Sequence, residues 1–462
     1  MTRFLPLLLA GAALSACTVG PDYQRPAKLA PAPQWLEAGT PGAADLTWWE
    51  RFGDPQLSAL VTRAMASSPD LAEAEARLEE ARANRDAANG GRLPSVTAKG
   101  SATENVLSKN GQLPIGSIPG FERSFPLFDL GFDASWELDF WGRRTRQVEG
   151  AGARVEAAQF ARRDVMLTLI AEVARAYLDL RAAQADGASA GALADADGEL
   201  ARLTRLRFDH GEASRLELDR AESAARTSAA AVPETRARAA AASYRIAALI
   251  GVPPEQVTIA PAPLPESPDA ILVGVRSELL ERRPDIRRAE AELHAATADV
   301  GVATADLFPR FSLFGSIGQQ ARSPNDLVSA GSTRLQIGPS FSWPIFSMGT
   351  IRAQIRAADA RAAGAAARYE KAVVGALADS ETAINRFLNA RDAAAETAAA
   401  LDHERAAYAL AERRAASGED DRLTLARARE SLIAVQRRND QAAAAKAQAA
   451  VALFKALGGG WN

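Results

Sequence analysis

Four carboxylates, Asp129, Asp133, Glu137 and Asp139, stand at odd positions between Phe128, Leu130, Phe132, Ala134, Trp136, Leu138 and Phe140. Such alternation describes a strand with one apolar and one acidic face, and the acids on that face would create a negative potential that draws cations. Other reactive side chains are sparse. His210, His294 and His403 lie on separate stretches without metal-ligand spacing, and Cys17 is the only thiol. With no phosphate-binding loop in the sequence, energy for any transport step must come from a partner. The reading is of a protein that is not an enzyme and needs no bound cofactor.

The elements that carry the acids occur twice. Pro69-Asp70-Leu71 to Leu93-Pro94 reappears as Pro284-Asp285-Ile286 to Phe308-Pro309, an offset of 284 − 69 = 215. Trp136, Gly142, Gly211 and Gly251 then match Trp343, Gly349, Gly418 and Gly458 at 343 − 136 = 207, so one loop after Pro94 is longer in the first copy. The repeat is too long for a solenoid unit. Each copy holds two alternating segments. Val96, Ala98 and Ala102 alternate with polar residues after Pro94, and Phe311, Leu313 and Ile317 do so after Pro309; Leu335, Ile337, Phe341, Trp343 and Ile345 form the second copy's other apolar face. Lys99 and Arg310 fall on the partner strands and would neutralise part of the acidic field. Trp136, Phe140 and Trp141 cluster at one end as in an interfacial girdle, and the strands reach the roughly 9 to 11 residues of a tilted membrane span. Four strands cannot close a barrel, and an open edge in lipid is forbidden, so the chain must oligomerise.

The remainder reads as helix. Leu57, Leu60, Val61 and Ala64 mark a short amphipathic helix after Asp54-Pro55, and Leu272, Val275 and Leu279 mark its counterpart after Asp269. Second helices run from Pro69 to near Arg92 and from Pro284 to near Leu307. Proline-free stretches from Arg143 to Asp209 and from Thr350 to Ser417 would each span about 100 Å as helices. Return helices follow Gly211 and Gly418 and end near Gly251 and Gly458, with Pro233 expected to kink or interrupt the first. Met166, Leu169, Val173, Tyr177 and Leu180 form a coiled-coil-like seam amid alanines. The fold class is therefore an internally duplicated α+β membrane protein: long helical hairpins and four transmembrane strands per chain.

A net charge of −3, with no basic tract, argues against nucleic acid. The apolar run from Phe4 to Ala16 follows Arg3 and is too short to span a bilayer as a helix, the pattern of a secretory signal over residues 1–16. Leu14-Ser15-Ala16-Cys17 resembles a bacterial lipobox, which implies covalent diacylglycerol and N-acyl lipid on Cys17; Thr18 in the next position points by the same resemblance to the outer membrane. Residues 17–54, with a Pro- and Ala-rich stretch from Val19 to Pro41, read as an extended tether. Repeat 1 spans 55–251, a Pro-rich linker 252–268, and repeat 2 spans 269–462.

The hairpin tips share a phrase. Leu203, Arg207, Gly211, Leu216, Leu218 and Arg220-Ala221 return as Leu410, Arg414, Gly418, Leu423, Leu425 and Arg427-Ala428. A glycine C-cap explains the glycine alone. The segments Cys17 to Pro26, Trp48 to Leu57, Asp139-Phe-Trp-Gly-Arg143 and Glu281 to Leu293 closely resemble the NodT-type outer-membrane lipoproteins of resistance-nodulation-division efflux systems, over essentially the whole chain. The resemblance implies a homotrimer with a twelve-stranded outer-membrane barrel and a long periplasmic α-helical barrel. It implies a periplasmic adaptor bridging to an inner-membrane pump, with Arg207, Gly211, Ser214, Arg414 and Gly418 facing that adaptor. Where the family commonly places a constricting acid, this chain has Arg427, flanked by Asp420, Asp421 and Glu430, which leaves open an Arg427 to Glu430 or inter-protomer latch. The alternatives to a small-molecule exit duct are a duct for protein export and a lipid-anchored coiled-coil scaffold without a pore.

Overall fold

The structure, a computed structural model, describes residues 18–25, 35–36, 42, 46–109, 120, 122–274 and 276–460. Cys17 and Val275 lie outside them. In chain order the main elements are α1 (Pro55–Ser67), α2 (Pro69–Gly90), β1 (Ser95–Val106), β2 (Ser124–Leu138), α3 (Arg143–Asp209) and α4 (Arg215–Leu249). There follow α5 (Leu279–Arg282), α6 (Pro284–Ala305), β3 (Arg310–Ala321), β4 (Thr333–Ser342), α7 (Met348–Ser417) and α8 (Arg422–Ala456). The second series repeats the first. The chain divides into two compact units that cut across the repeats: one holds residues 1–26, 79–157 and 289–368, the other 27–78, 158–288 and 369–462.

In the first unit the four strands form one antiparallel sheet in the order β1-β2-β3-β4, so β1 and β4 are its free edges. Phe132 pairs with Ile317 and Ile317 with Leu335, which puts Val96, Leu130, Phe132, Trp136, Leu313, Ile317, Leu335, Ile337 and Phe341 on one face; Phe314, paired with Ser135, falls on the other. Val96, Leu130, Phe132, Ile317, Leu335, Ile337 and Phe341 are all exposed there. A contiguous apolar face of this kind marks a membrane or interaction surface. β2 begins four residues before Phe128 and stops at Leu138, so Asp139 and Phe140 are not strand residues.

The segment expected to be an extended tether is non-helical and fastened to the body over its described residues 18–25. The Val19 amide donates to the Trp141 carbonyl at 3.1 Å. Arg146, almost wholly buried, pairs with Asp22 at 2.5 Å and Glu149 at 2.8 Å. Tyr23 stacks on His294 with ring centroids 4.6 Å apart. Gly20 has φ +90°, and a β-carbon there would collide with the Gly301 backbone. Close approach of two glycines is what lets this strap lie against α6.

In the second unit, residues 48–52, also assigned to the tether, form a 3₁₀ turn with Trp48, Trp49 and Phe52 buried; Trp48 stacks on Phe454 at 5.1 Å. α1 starts where Asp54 accepts from the amides of Gln56 and Leu57, and it buries Leu57, Leu60, Val61 and Ala64. Its expected counterpart after Asp269 is not a helix until residue 276. Ile271 and Val273 are both buried, an extended period of two, and the Gly274 carbonyl accepts from Trp35 Nε1 at 3.0 Å rather than from a helical amide. α4 runs unbroken through Pro233, contrary to an interruption there. The seam of α3 holds: Leu169, Val173, Tyr177 and Leu180 are buried, with Met166 half-buried. Arg181, fully buried, donates from its two terminal nitrogens to the Tyr177 hydroxyl, Gln56 and the Ala260 carbonyl. Burial and the hydrogen bond to Asp54 push the Tyr177 phenol up to about 12.

Candidate functional site

The sheet's second face is polar, and its rows can be read across all four strands. One row is Lys99, Gly131, Gly318 and Arg334; a neighbouring row is Thr97, Asp133, Ser316 and Gln336. Asp129, Asp133 and Glu137 share this face, as their spacing requires. None stands alone. Arg334 donates to Asp129 at 2.8 and 3.0 Å, a forked pair, and Gln320 adds a bond at 2.9 Å. Lys99 pairs with Asp133 at 2.6 Å. Glu137 receives Arg143 at 2.7 Å and Arg144 at 2.8 Å. Asp139 lies beyond the strand and accepts from the amides of Arg144 and Thr145 at 2.9 and 2.8 Å, satisfying donors of the first turn of α3. The acidic face expected from the sequence is neutralised further than Lys99 alone would do, each of its strand acids being paired, and Asp139 is a helix cap rather than a residue of that face. Arg310 pairs with Asp306 at 2.6 Å, so it does not serve the acids of β2.

Both hairpin tips lie in the second unit and close by the same device. Gly211 and Gly418 have φ +75° and +79°, and the next amides, Glu212 and Glu419, reach back to the Arg207 and Arg414 carbonyls at 2.7 and 2.9 Å. Ser214 and Glu217 form a reciprocal capping box at the start of α4. Asp421 caps α8 through the Thr424 amide at 2.8 Å, and hydrogen bonds from the Thr424 side chain and backbone hold its carboxyl below the usual range. Arg414 binds Asp420 at 2.8 and 3.0 Å. Arg427 and Glu430 share the wall of a cavity of about 270 Å³ with Arg207, Arg220 and Glu217. Among the described residues they form no ion pair with each other, so the structure lacks the Arg427 to Glu430 latch. Leu206, Leu216 and Leu410 are exposed beside the tips.

Two features escaped sequence reading. Arg334 sits on β4 one residue before the first apolar position of the alternation, where no pattern flagged it. Asp186, on α3, is buried between Arg238 of α4 and Arg437 of α8, with Arg437 Nε 2.5 Å from its carboxylate. Burial pushes this carboxyl up, but hydrogen bonds from Arg437 and Arg238 outweigh that and hold it below the usual range.

A sheet with an exposed apolar face and free edges, continuous in sequence with two long helical hairpins, defines a membrane-channel subunit built by duplication. The comparisons give the family. The model for "Outer membrane efflux protein" matches this chain twice, over residues 60–252 and 275–459, and the chain belongs to that family. It is 33% identical to the pyoverdine export outer membrane protein OpmQ of Pseudomonas aeruginosa, over 99% of this chain and 97% of that protein. Nodulation protein T of Rhizobium leguminosarum bv. trifolii is 31% identical over 83% of this chain and 80% of its own. The solved outer-membrane channel OprN superposes with a TM-score of 0.85 at 37% identity, covering 96% of this chain and all of that one. The protein is an outer-membrane efflux channel component.

Proposed function

We propose that three copies of this chain close one twelve-stranded barrel in the outer membrane and carry small molecules outward through it. The observation that carries the reading is the sheet itself. Its two edges are unpaired and its apolar face is exposed, so in lipid each edge strand needs a partner strand to satisfy its backbone. Joining β4 of one copy to β1 of the next meets that need, and four strands from each of three copies make 4 × 3 = 12. The polar face then lines the lumen.

The remaining parts follow from the family and the tips. Cys17 carries the lipid anchor, one residue before the strap that holds Val19 against Trp141. The tips around Gly211 and Gly418, with Arg207, Ser214 and Arg414, meet a periplasmic adaptor, and the driving energy comes from an inner-membrane pump. The test is the native mass of the detergent-extracted protein, together with disulfide cross-linking of cysteines placed on β1 and β4. A trimer with β1 linked to β4 of another copy is the expected result. A stable monomer, or a trimer whose edge strands never cross-link, refutes the closure.

A further inference from the structure

We propose that Arg334 is a specificity-determining residue of the channel: it cancels Asp129 at the turn end of the lumen and keeps the wall open to solutes of either charge. The inference rests on the lumenal reading of the polar face given above. Its basis is the geometry of one row. Asp129 lies on β2 and Arg334 on β4, two strands apart, yet they meet in a forked pair. The strand between them presents Gly318 in the row of Arg334, and β2 presents Gly131 beside it. Neither glycine can be replaced without a clash: a β-carbon on Gly131 would lie 2.9 Å from Gly318 Cα, and one on Gly318 would lie 2.6 Å from the Leu130 carbonyl oxygen. The glycine pair leaves the floor bare, and the Arg334 side chain crosses it to reach Asp129, with Nη1 also bonded to Ser316 at 2.5 Å.

This pair differs from the one below it. The side chains of Arg334 and Asp129 are 34% and 18% exposed, against 65% and 36% for Lys99 and Asp133. A planar guanidinium forked onto a carboxylate in a half-buried site is held in place, whereas an exposed ammonium is a mobile partner. The fixed pair is therefore the one whose loss leaves a permanent charge. Removing Arg334 exposes one carboxylate per copy, three around the ring, at the end of the sheet where the hairpin turns lie. Removing Asp129 exposes three cations at the same level.

The experiment uses the full-length protein in intact cells. Cys17 is the only native cysteine, so single introduced cysteines report cleanly. Ser101, directly opposite Asp129 on the polar face, is changed to Cys, and its rates of reaction with a cationic and an anionic membrane-impermeant thiosulfonate are measured. Ile337→Cys, on the apolar face, is the control. With Ser101→Cys as background, Arg334→Gln should raise the cationic-to-anionic rate ratio about threefold at 0.1 M salt and less at 1 M. Asp129→Asn should lower it by a similar factor, and the double variant should return it to the starting value. Arg334→Lys should keep it near that value. Labelling at Ile337→Cys with none at Ser101→Cys would overturn the lumenal reading itself. Labelling at Ser101→Cys with a ratio that neither Arg334→Gln nor Asp129→Asn moves would overturn the role of Arg334 and leave that reading standing. Asp129→Asn gives the answer on its own if Arg334→Gln fails to reach the membrane.

Discussion

Asp186→Asn is the perturbation whose size can be worked most directly from the structure. The wild-type carboxylate is 8% exposed and holds Arg437 and Arg238, which are 35% and 50% exposed. The variant keeps the shape but loses the charge, and its amide group turns a donor toward one of two guanidiniums. Charged hydrogen bonds contribute about 1.5–3 kcal/mol each, and breaking a fully buried pair costs about 3–5 kcal/mol. Both arginines reach water, which screens much of that loss. The expected cost is about 2 kcal/mol, or roughly a 30-fold rise in local opening, since about 1.4 kcal/mol is tenfold. Because Asp186 ties α3 to both α4 and α8, the opening should appear in all three helices at once.

The assay is amide hydrogen exchange of the detergent-solubilised protein. Peptides around residues 183–190, 235–242 and 434–440 should exchange faster in the variant, while the strands stay unchanged. The pH dependence adds a second check. Asp186 has a folded-state pKa below its unfolded one, so its stabilisation is full above the ordinary carboxylate value of about 4 and is lost as pH falls below it. After correction for intrinsic rates, the gap between wild type and variant should narrow from pH 5 to pH 3. Equal protection in both proteins at pH 7, or a gap that stays constant into acid, refutes the clamp.

Two further outcomes are expected. Cys17→Ser should abolish acylation, seen as the loss of lipid mass from the mature N-terminal peptide; an unmodified Cys17 in the wild type ends that claim. Gly418→Leu forces a left-handed backbone on a branched side chain at a cost of about 1–2 kcal/mol, so adaptor pull-down should weaken while the native mass stays trimeric, and undiminished pull-down would sink the role of the tip.

What the sequence made legible follows from how far each signal reaches along the chain. The faces of the strands were legible because lipid on one side and water on the other impose a period of two on every residue. The tips were legible because a left-handed glycine is a local requirement at the turn itself. Counterions are another matter: Asp129 and Arg334 are 205 residues apart, and no local pattern joins them. Asp139 misled because its parity continues the strand, whereas its carboxylate is drawn to the unpaired amides of the α3 helix that starts four residues on. The helix expected after Asp269 failed for a similar reason: Trp35, 239 residues upstream, takes the Gly274 carbonyl.

These long-range pairs also show what the duplication left for divergence to do. With the 207 offset, Arg334 corresponds to Leu127 (334 − 207 = 127), Asp129 to Gln336 and Asp133 to Ser340; with the 215 offset, Lys99 corresponds to Phe314. Asp186 corresponds to Ala393, Arg238 to Ala445 and Arg437 to Ala230. At each of these positions one copy carries a charge and the other carries none. Two identical hairpins could supply a sheet with free edges and a polar face, but each acid would then recur in both copies. In this chain Asp133 of β2 meets a lysine from β1 and Asp129 an arginine from β4, and the buried acid of α3 meets arginines from the return helices of both copies. The backbone architecture is thus common to the halves, while the pairs that join them, Asp129 with Arg334 and Asp186 with Arg437, use positions where the copies differ. Substitutions at positions where the copies agree, such as Gly211 and Gly418, should disturb how the hairpins close. Substitutions where they disagree, such as Arg334 and Asp186, should disturb what the pore selects and how firmly the helices are tied.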